Sequence, residues 1–345
     1  MLKIAIEGYP FKRVSCLGPE VFMHRLSDSI VNQKLAIVRR TILPFYDIAL
    51  FKITSKSKYK KPFVLRVDGI YFDNKNTIGD SDKMNYDIFS SIKMSNGVIF
   101  ISDFCRKLVE TFNGKVSKSF VIIHNSVDIK LFSPIGNNFR SKCGFSNNDR
   151  VIVVSALWRR HKRLKEIVLL FKRLRRKSKN GKNYKLLVLG GNADYIKKDK
   201  DIIYAGKVNP KQLPTWYRTG DIFIHLSWIE PCGNTQIEAM ACGLPVVCTN
   251  NGGVGETVMR ANGGIVSQAD EEYRFHKVDY YNPPEPNYDV LISDIEKIFG
   301  NYNQYINNID YEMLDINNAA KSYVNFMNEI WEKTAGQVVC EGPGL

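Results

Sequence analysis

Along the chain, short continuous apolar runs alternate with stretches whose apolar positions return every three or four residues. The first run, KIAI (3–6), leads through Gly8 and Pro10 into a loop ending at Gly18, and FMHRLSDSIV (22–31) then carries a helical period. Further strand-like runs are KLAIVRR (34–40), YDIALFKI (46–53), FVLRV (63–67), GVIFIS (97–102) and SFVIIHN (119–125). Helical patterns lie between several of them, notably CRKLVETF (105–112). A polar turn, SNNDR (146–150), opens a second series. It holds RVIVVSAL, a basic amphipathic helix, KLLVLGG (185–191), DIIYAGKV (201–208), a helix around QLPTWYRT, DIFIHLS (221–227), LPVVCT (244–249) and GGIVSQ (263–268). Strands alternating with helices in two consecutive sets predict α/β architecture with parallel sheets. Such sheets bind substrates outside the carboxyl ends of their strands.

After the second series, YYNPPEPNYDV (280–290) reads as a proline-rich connector. AAKSYVNFMNEIW (319–331) is amphipathic enough to dock on a neighbouring surface, and AGQVVCEGPGL (335–345) reads as a loose tail. A length of 345 residues fits two domains of roughly 150 residues each. The pattern gives an N-terminal α/β domain over 1–146, a C-terminal one over 147–315, a helix over 316–335 and a tail over 336–345.

Composition narrows the class. Hydrophobic residues at 44% and charged residues at 24% describe a globular chain and exclude a disordered one. No apolar run reaches the ~20 residues of a spanning helix, and MLKIAIEGYP lacks the apolar stretch of a secretory signal. The seven cysteines are scattered without a CxxC pair, which argues for free thiols in a reducing cytoplasm and against structural zinc. The net charge of +14 is uneven: residues 1–145 hold 23 Lys and Arg against 12 Asp and Glu. Most of the remaining excess lies in RRHKRLKEIVLLFKRLRRKSK (159–179), with 11 basic residues and one acidic. Such a balance draws a protein to anionic lipid, nucleic acid or phosphorylated substrates, or is simply a solvated helix face.

The stretch EPCGNTQIEAMACGLPVV (230–247) carries the chemistry. DIFIHLS reads as a buried strand, so Glu230 falls in the loop at the sheet's carboxyl edge. Thr235 and Glu238 have the spacing of a capping box that opens the helix IEAMAC. A helix start offers free N–H groups and partial positive charge to a phosphate. Gly233 removes a side chain where a ligand would approach the backbone. Glu238 either accepts hydrogen bonds from vicinal hydroxyls or only completes the cap.

EPCGNTQIE resembles the E-x7-E motif of retaining glycosyltransferases of the GT-B fold, and EAMACGLPVVCTNNGGVGE extends the likeness to Glu256. Within that fold the chain is similar to family 4, the group 1 nucleotide-sugar-dependent enzymes. Weaker likenesses follow the family's order: GPEVFMHRL (18–26), ISDFCRKL (101–108), IHNSVDIKLF (123–132), SALWRRHKRL (155–164) and YAGKV (204–208). The resemblance implies two Rossmann-like domains facing each other across a cleft, with the helix over 316–335 packing back on the first. It also implies transfer of a hexose-type sugar, with retention, from a nucleotide-sugar to an acceptor hydroxyl of a glycan or glycolipid, as in polysaccharide biosynthesis.

Carried over by residue, Glu230 would hold hydroxyls of the transferred sugar, and backbone amides of Cys232, Gly233, Asn234 and Thr235 would cradle sugar and diphosphate. Glu238 would bind the ribose. Gly18, Gly190 and Gly191 would let backbone approach the diphosphate, while Lys207 and Val208 would border the base. Lys162 fits the family's diphosphate lysine. The accompanying arginine falls at Leu157 here, which shifts that role to Arg159. Two cations and a helix start would stabilise the departing diphosphate without a metal. Where many relatives carry a histidine after FVLRV, this chain has Asp68, which either orients or deprotonates the acceptor hydroxyl or is a turn residue before Gly69.

His124 reads as a packed strand-end residue and Asp80-Ser81-Asp82 as a turn rather than a metal-binding DxD. The donor expected is a UDP- or GDP-sugar, with no other cofactor and no metal. The acceptor is a glycan or lipid-linked sugar, anionic if the basic N-terminal half reports on it, with peripheral membrane contact. A nucleotide-sugar epimerase of the same fold is the nearest alternative. A nucleic-acid-binding protein is the more distant one, since no zinc finger, RNP-like aromatic motif or helix-turn-helix signature is present.

Overall fold

The computed structural model describes residues 1–10, 18–40, 45–55, 61–73, 80–178, 183–193 and 199–340, with side chains to residue 335. The chain divides into two compact units, Met1–Asp128 with Asp315–Leu345, and Ile129–Leu314.

The first unit is built on a parallel sheet ordered β2-β1-β3-β4-β5-β6. Its strands are β1 (Lys3–Ile6), β2 (Ile37–Arg40), β3 (Ile48–Lys52), β4 (Phe63–Val67), β5 (Gly97–Phe100) and β6 (Ser119–Ile122). The inner strands β3, β4 and β5 are buried nearly throughout, as expected where helices cover both faces and the strand reads as an unbroken apolar run. The edge strand β6 is exposed or half-buried along its length. Helices α1 (Gly18–Asn32), α2 (Ser81–Met94) and α3 (Asp103–Asn113) connect the strands. Ser102 caps α3 by accepting from the Cys105 N–H at 2.9 Å.

The second sheet is ordered β12-β11-β10-β7-β8-β9 and is also parallel throughout. Its strands are β7 (Arg150–Ser155), β8 (Tyr184–Leu189), β9 (Ile202–Gly206), β10 (Ile222–His225), β11 (Val246–Thr249) and β12 (Gly264–Ser267). Its helices are α4 (Leu164–Lys177), α5 (Leu213–Tyr217), α6 (Thr235–Ala241), α7 (Val254–Arg260), α8 (Tyr288–Gly300) and α9 (Tyr302–Asn307). Leu164, Ile167, Leu170, Phe171 and Leu174 of α4 pack with Leu291, Ile292, Ile295 and Ile298 of α8 in one core with the sheet. The charged face of α4 points the other way, as its sequence period requires.

The last helix, α10 (Ile316–Cys340), returns to the first unit. Tyr323, Met327 and Ile330 share a core with Phe22, Met23, Leu26 and Ile30 of α1. Gly97 of β5 has no side chain because a Cβ there would lie 2.9 Å from Ile330.

Several boundaries differ from those the sequence suggests. The division falls after Asp128, not at 146/147, because Arg140 and Arg218 staple the intervening segment to the second unit. Arg140 Nη1 pairs with Asp221 at 3.0 Å, and Arg218 donates to the Ser133 and Asn137 carbonyls at 3.0 and 2.9 Å. The connector ends at Asn287, whose side chain caps α8. Asp80 is the N-cap of α2, so the DSD triplet is a helix start. The helix expected to stop at 335 continues to Cys340, and the tail residues 341–345 lie outside the described residues. So does most of the loop expected before Gly18, residues 11–17.

Candidate active site

The candidate residues of the second unit converge on one edge because all its strands run the same way. Lys162 follows β7, Gly190 and Gly191 follow β8, Lys207 and Val208 follow β9, and Glu230 follows β10. Strands lie ~4.8 Å apart, so the ends of β10 and β9, three steps apart in the sheet, span roughly 14 Å.

The segment after β10 is held on both sides. Trp228 N–H donates to the His161 carbonyl at 2.9 Å, and Ile229 N–H to the Asn251 carbonyl at 3.3 Å. Gly253 N–H returns a bond of 2.9 Å to the Glu230 carbonyl. Ile229 adopts φ +56°, a left-handed conformation uncommon for a β-branched residue. Gly252 has φ +146°, and a Cβ there would lie 2.6 Å from the Glu230 carbonyl oxygen. A second close approach occurs at Gly190, φ +107°, where a Cβ would fall 1.8 Å from the Ala156 carbonyl oxygen. Gly191, by contrast, faces open space.

This backbone brings Glu230 and Lys162 together as an ion pair, each side chain 19% exposed. Burial pushes the Glu230 carboxyl up, but Lys162 and then His225 outweigh it and hold the group down at about 2. His225, buried at the end of β10, is lowered to about 4 by burial. His161 is lowered to about 3 by burial and then by the Lys162 charge. Its ring stacks on Tyr280 at 4.7 Å between centroids, and the Tyr280 hydroxyl donates to the Ile229 carbonyl at 3.3 Å. Two neutral rings therefore flank a charged pair.

Below the loop, α6 begins one residue earlier than a capping box would set it. Asn234 is the N-cap, without a side-chain cap hydrogen bond, and Thr235 is the first helical residue. Glu238 is 4% exposed and accepts from the Tyr217 hydroxyl at 3.0 Å. Burial, and then the Glu238 charge, push the Tyr217 hydroxyl far above its usual range. The room a side chain would need at Gly233 is taken by the protein itself: a Cβ would meet Gln236 Oε1 at 2.5 Å and His225 Nε2 at 3.1 Å. Cys232 is buried and Asn234 and Thr235 are half-buried beside it.

The basic run sorts by partner. Arg160 pairs with Glu166 at 2.6 Å, and Arg163, fully buried, pairs with Asp270 at 2.8 Å. Arg159 is exposed at the start of the 3-10 turn that carries Lys162. Lys207 is exposed and Val208 half-buried at the outer end of the edge.

In the first unit Gly18 opens α1 and is exposed. Asp68 lies one residue past β4, ion-paired with Arg66 of that strand. Sequence reasoning missed Arg66, Tyr217, His161, His225 and Tyr280. An arginine inside the otherwise apolar FVLRV is the one signal that pointed to any of them. Among the described residues no group of three or more His, Cys, Asp or Glu is arranged to hold a metal, and no helix is long and apolar enough to cross a membrane. Cys105, Cys143, Cys232, Cys242 and Cys248 are free thiols.

Residues 137–277 match the family described as Glycosyl transferases group 1. The chain is 23% identical over 172 residues to the alpha-monoglucosyldiacylglycerol synthase of Streptococcus pneumoniae, covering 45% of this chain and 38% of that protein. The chain thus aligns with well under half the length of that curated relative. Among solved structures it resembles sucrose-phosphate synthase from Thermosynechococcus elongatus, at 13% identity and TM-score 0.65 over 99% of both chains. It also resembles Anabaena Alr3699/HepE, solved with UDP and glucose, at 15% identity and TM-score 0.62 over 99% of this chain and 100% of that one. The fold is GT-B, as the sequence pattern and motif imply.

Proposed function

Residues 137–277 are a group 1 glycosyltransferase domain, and on that premise we propose that the chain transfers a hexose, with retention, from a nucleotide-sugar to a hydroxyl of a glycan or glycolipid. The observation that carries the reading is the assembly of Glu230, Lys162 and Glu238 at one carboxyl edge, inside the matched span.

Each group has a task suited to its surroundings. Glu230 stays ionised at any physiological pH and offers acceptor oxygens to sugar hydroxyls. Lys162 and Arg159 supply positive charge where a departing nucleoside diphosphate gathers negative charge, so catalysis rests on fixed cations rather than a metal. The backbone from Cys232 to Thr235, with Gly191, contributes amide donors to the diphosphate, while Gly190, whose own N–H donates to the Gly206 carbonyl at 2.7 Å, only lets the backbone approach it. Glu238, steadied by Tyr217, accepts the ribose hydroxyls, and Lys207 with Val208 borders the base. Of the residues on the first unit, Gly18 is assigned to backbone approach to a diphosphate and Asp68 to the acceptor hydroxyl. The Alr3699/HepE complex with UDP and glucose supports a UDP-hexose as the first donor to try. A relative named for a glucosylated diacylglycerol supports a lipid-linked acceptor, and the basic N-terminal half supports contact with an anionic surface from the cytoplasmic side.

A thermal-shift panel of UDP- and GDP-sugars tests the reading. The right donor, at about a hundred times its dissociation constant, adds roughly 2.7 kcal/mol of stability, and Glu238→Ala removes the gain. The reading fails if no nucleotide-sugar stabilises the wild-type chain, or if Glu238→Ala responds as the wild type does.

A further inference from the structure

Neither member of the Lys162–Glu230 pair belongs to a long regular element. Lys162 closes a 3-10 turn of three residues, Arg160–Lys162, and Glu230 lies in the loop after β10. Support for both comes from one segment of the same unit, residues 269–281, which lies between β12 and α8. The segment is itself tied down. Asn287 N–H donates to the Ala269 carbonyl at 2.7 Å, and Asn251 Nδ2 to the Glu271 carbonyl at 2.6 Å. Asn251 Oδ1 accepts from the Tyr273 N–H at 2.9 Å, and the Tyr273 hydroxyl donates to the His276 carbonyl at 2.5 Å.

This segment grips the residue on each side of Lys162. Both Asp270 oxygens accept from Arg163 Nη1, at 3.0 and 2.8 Å, and both side chains are fully buried. On the other side, the Tyr280 ring stacks on His161. The same tyrosine reaches the second loop. Its hydroxyl donates to the carbonyl of Ile229, the residue before Glu230, and its ring meets that of Trp228 edge-on at 6.4 Å. Trp228 N–H in turn donates to the His161 carbonyl, which closes a circuit through both loops. We propose that Tyr280 is a positioning residue, a wedge that fixes the turn carrying Lys162 against the loop carrying Glu230 and so holds ammonium and carboxylate in place for a nucleotide-sugar. This rests on the transfer reading above and deepens it, because the wedge lies beyond the span matched to the family, which ends at residue 277.

The chemistry of the side chain suits that task. A fixed charge stabilises a developing one only if it is held in place before the reaction, and a lysine on a short turn has many rotamers to lose. An aromatic ring is a rigid wedge because it has only two torsions to immobilise. An aliphatic side chain would fill space, but it would offer neither a flat face to His161 nor a hydroxyl to Ile229. That hydroxyl acts at a residue whose left-handed backbone persists only where its surroundings over-determine it. The phenol stays neutral, since burial and then the Glu230 charge push it above its usual range, so it adds no charge to the pair.

The test acetylates the full chain with an amine-reactive ester at neutral pH and follows each lysine by mass spectrometry, in wild type, Tyr280→Phe and Tyr280→Leu. Lys185, paired with Asp201 and 20% exposed, is the internal standard for Lys162, paired with Glu230 and 19% exposed. Tyr280→Leu, which loses ring and hydroxyl, is expected to raise the Lys162 rate relative to Lys185 about tenfold, the equivalent of one hydrogen bond and one ring stack. The nucleotide-sugar that stabilises the wild type should bind it more weakly by a similar factor. Tyr280→Phe keeps the stack and should show about threefold in each. Ile295→Val, in the core between α4 and α8, lowers the thermal midpoint but leaves the labelling ratio at the wild-type value. A ratio unchanged in Tyr280→Leu, or raised equally in Ile295→Val, overturns the proposal. If Tyr280→Leu does not fold, the Tyr280→Phe ratio decides. If no nucleotide-sugar stabilises the wild type, the transfer reading falls instead, and the labelling ratio still decides whether Tyr280 holds the pair.

Discussion

Lys162 and Glu230 depend on each other. Lys162 is what keeps a partly buried carboxylate charged, so its loss changes Glu230 as well as, on the proposed reading, the charge offered to a diphosphate. Lys162→Ala should lower turnover by about 10²–10³, the effect of deleting one fixed stabiliser of developing charge. It should also raise the acid limb of the rate profile, since burial then acts on Glu230 with less opposition. A steady-state pH series on both proteins measures the two effects separately. The nearby histidines make a different forecast. His225 and His161 have folded values of about 4 and about 3, below the ordinary 6.5, so the unfolded chain binds protons in this range and the folded chain does not. Stability is then complete above about pH 6.5 and falls as pH drops toward 4, by up to about 1.4 kcal/mol per unit for each histidine. Glu230 adds a loss of the same sign between its usual carboxylate value and about 2. Thermal midpoints from pH 7 to 4 should fall steeply in wild type and less steeply in His225→Gln.

Among the elements, the loop after β10 holds Ile229 at φ +56° and abuts Gly252 of the loop after β11. Gly252→Ala places a Cβ against the Glu230 carbonyl at a backbone angle that L residues rarely adopt. It is expected to cost about 1–3 kcal/mol and to loosen the 228–230 segment. Denaturant unfolding measures the first effect, and donor-induced stabilisation, which should weaken, the second. Elements with continuous apolar runs were legible from the sequence: the described strands fall within the runs that marked them, except β8, which begins one residue before its run, at Tyr184. Helices α2 and α7 were not singled out. The first starts at a triplet that looks like a turn, and the second is a seven-residue helix inside a glycine-rich motif. The start of α6 was misread by one residue because the Thr-x-x-Glu spacing suggested a cap, whereas Glu238 turns inward to Tyr217.

At the scale of the molecule, each unit has its own core, and α10 completes the first. Truncation after Leu314 strips Tyr323, Met327 and Ile330 from the face of α1. It should unfold the first unit while leaving donor-induced stabilisation of the second, which differential scanning calorimetry with and without donor would reveal. The site was legible unevenly. Glu230, Lys162 and Glu238 carry a spacing that a motif can record. Arg66 with Tyr323, and Glu238 with Tyr217, join residues 257 and 21 positions apart, and only the folded chain brings them within bonding distance.

The most direct measurement is hydrogen–deuterium exchange of the full chain with and without the stabilising nucleotide-sugar. Protection is expected in the segments after β7, β8, β9 and β10, including Lys162, Gly190, Gly191, Val208 and the amides from Cys232 to Glu238. Donor binding that protects none of these strand ends would contradict the account.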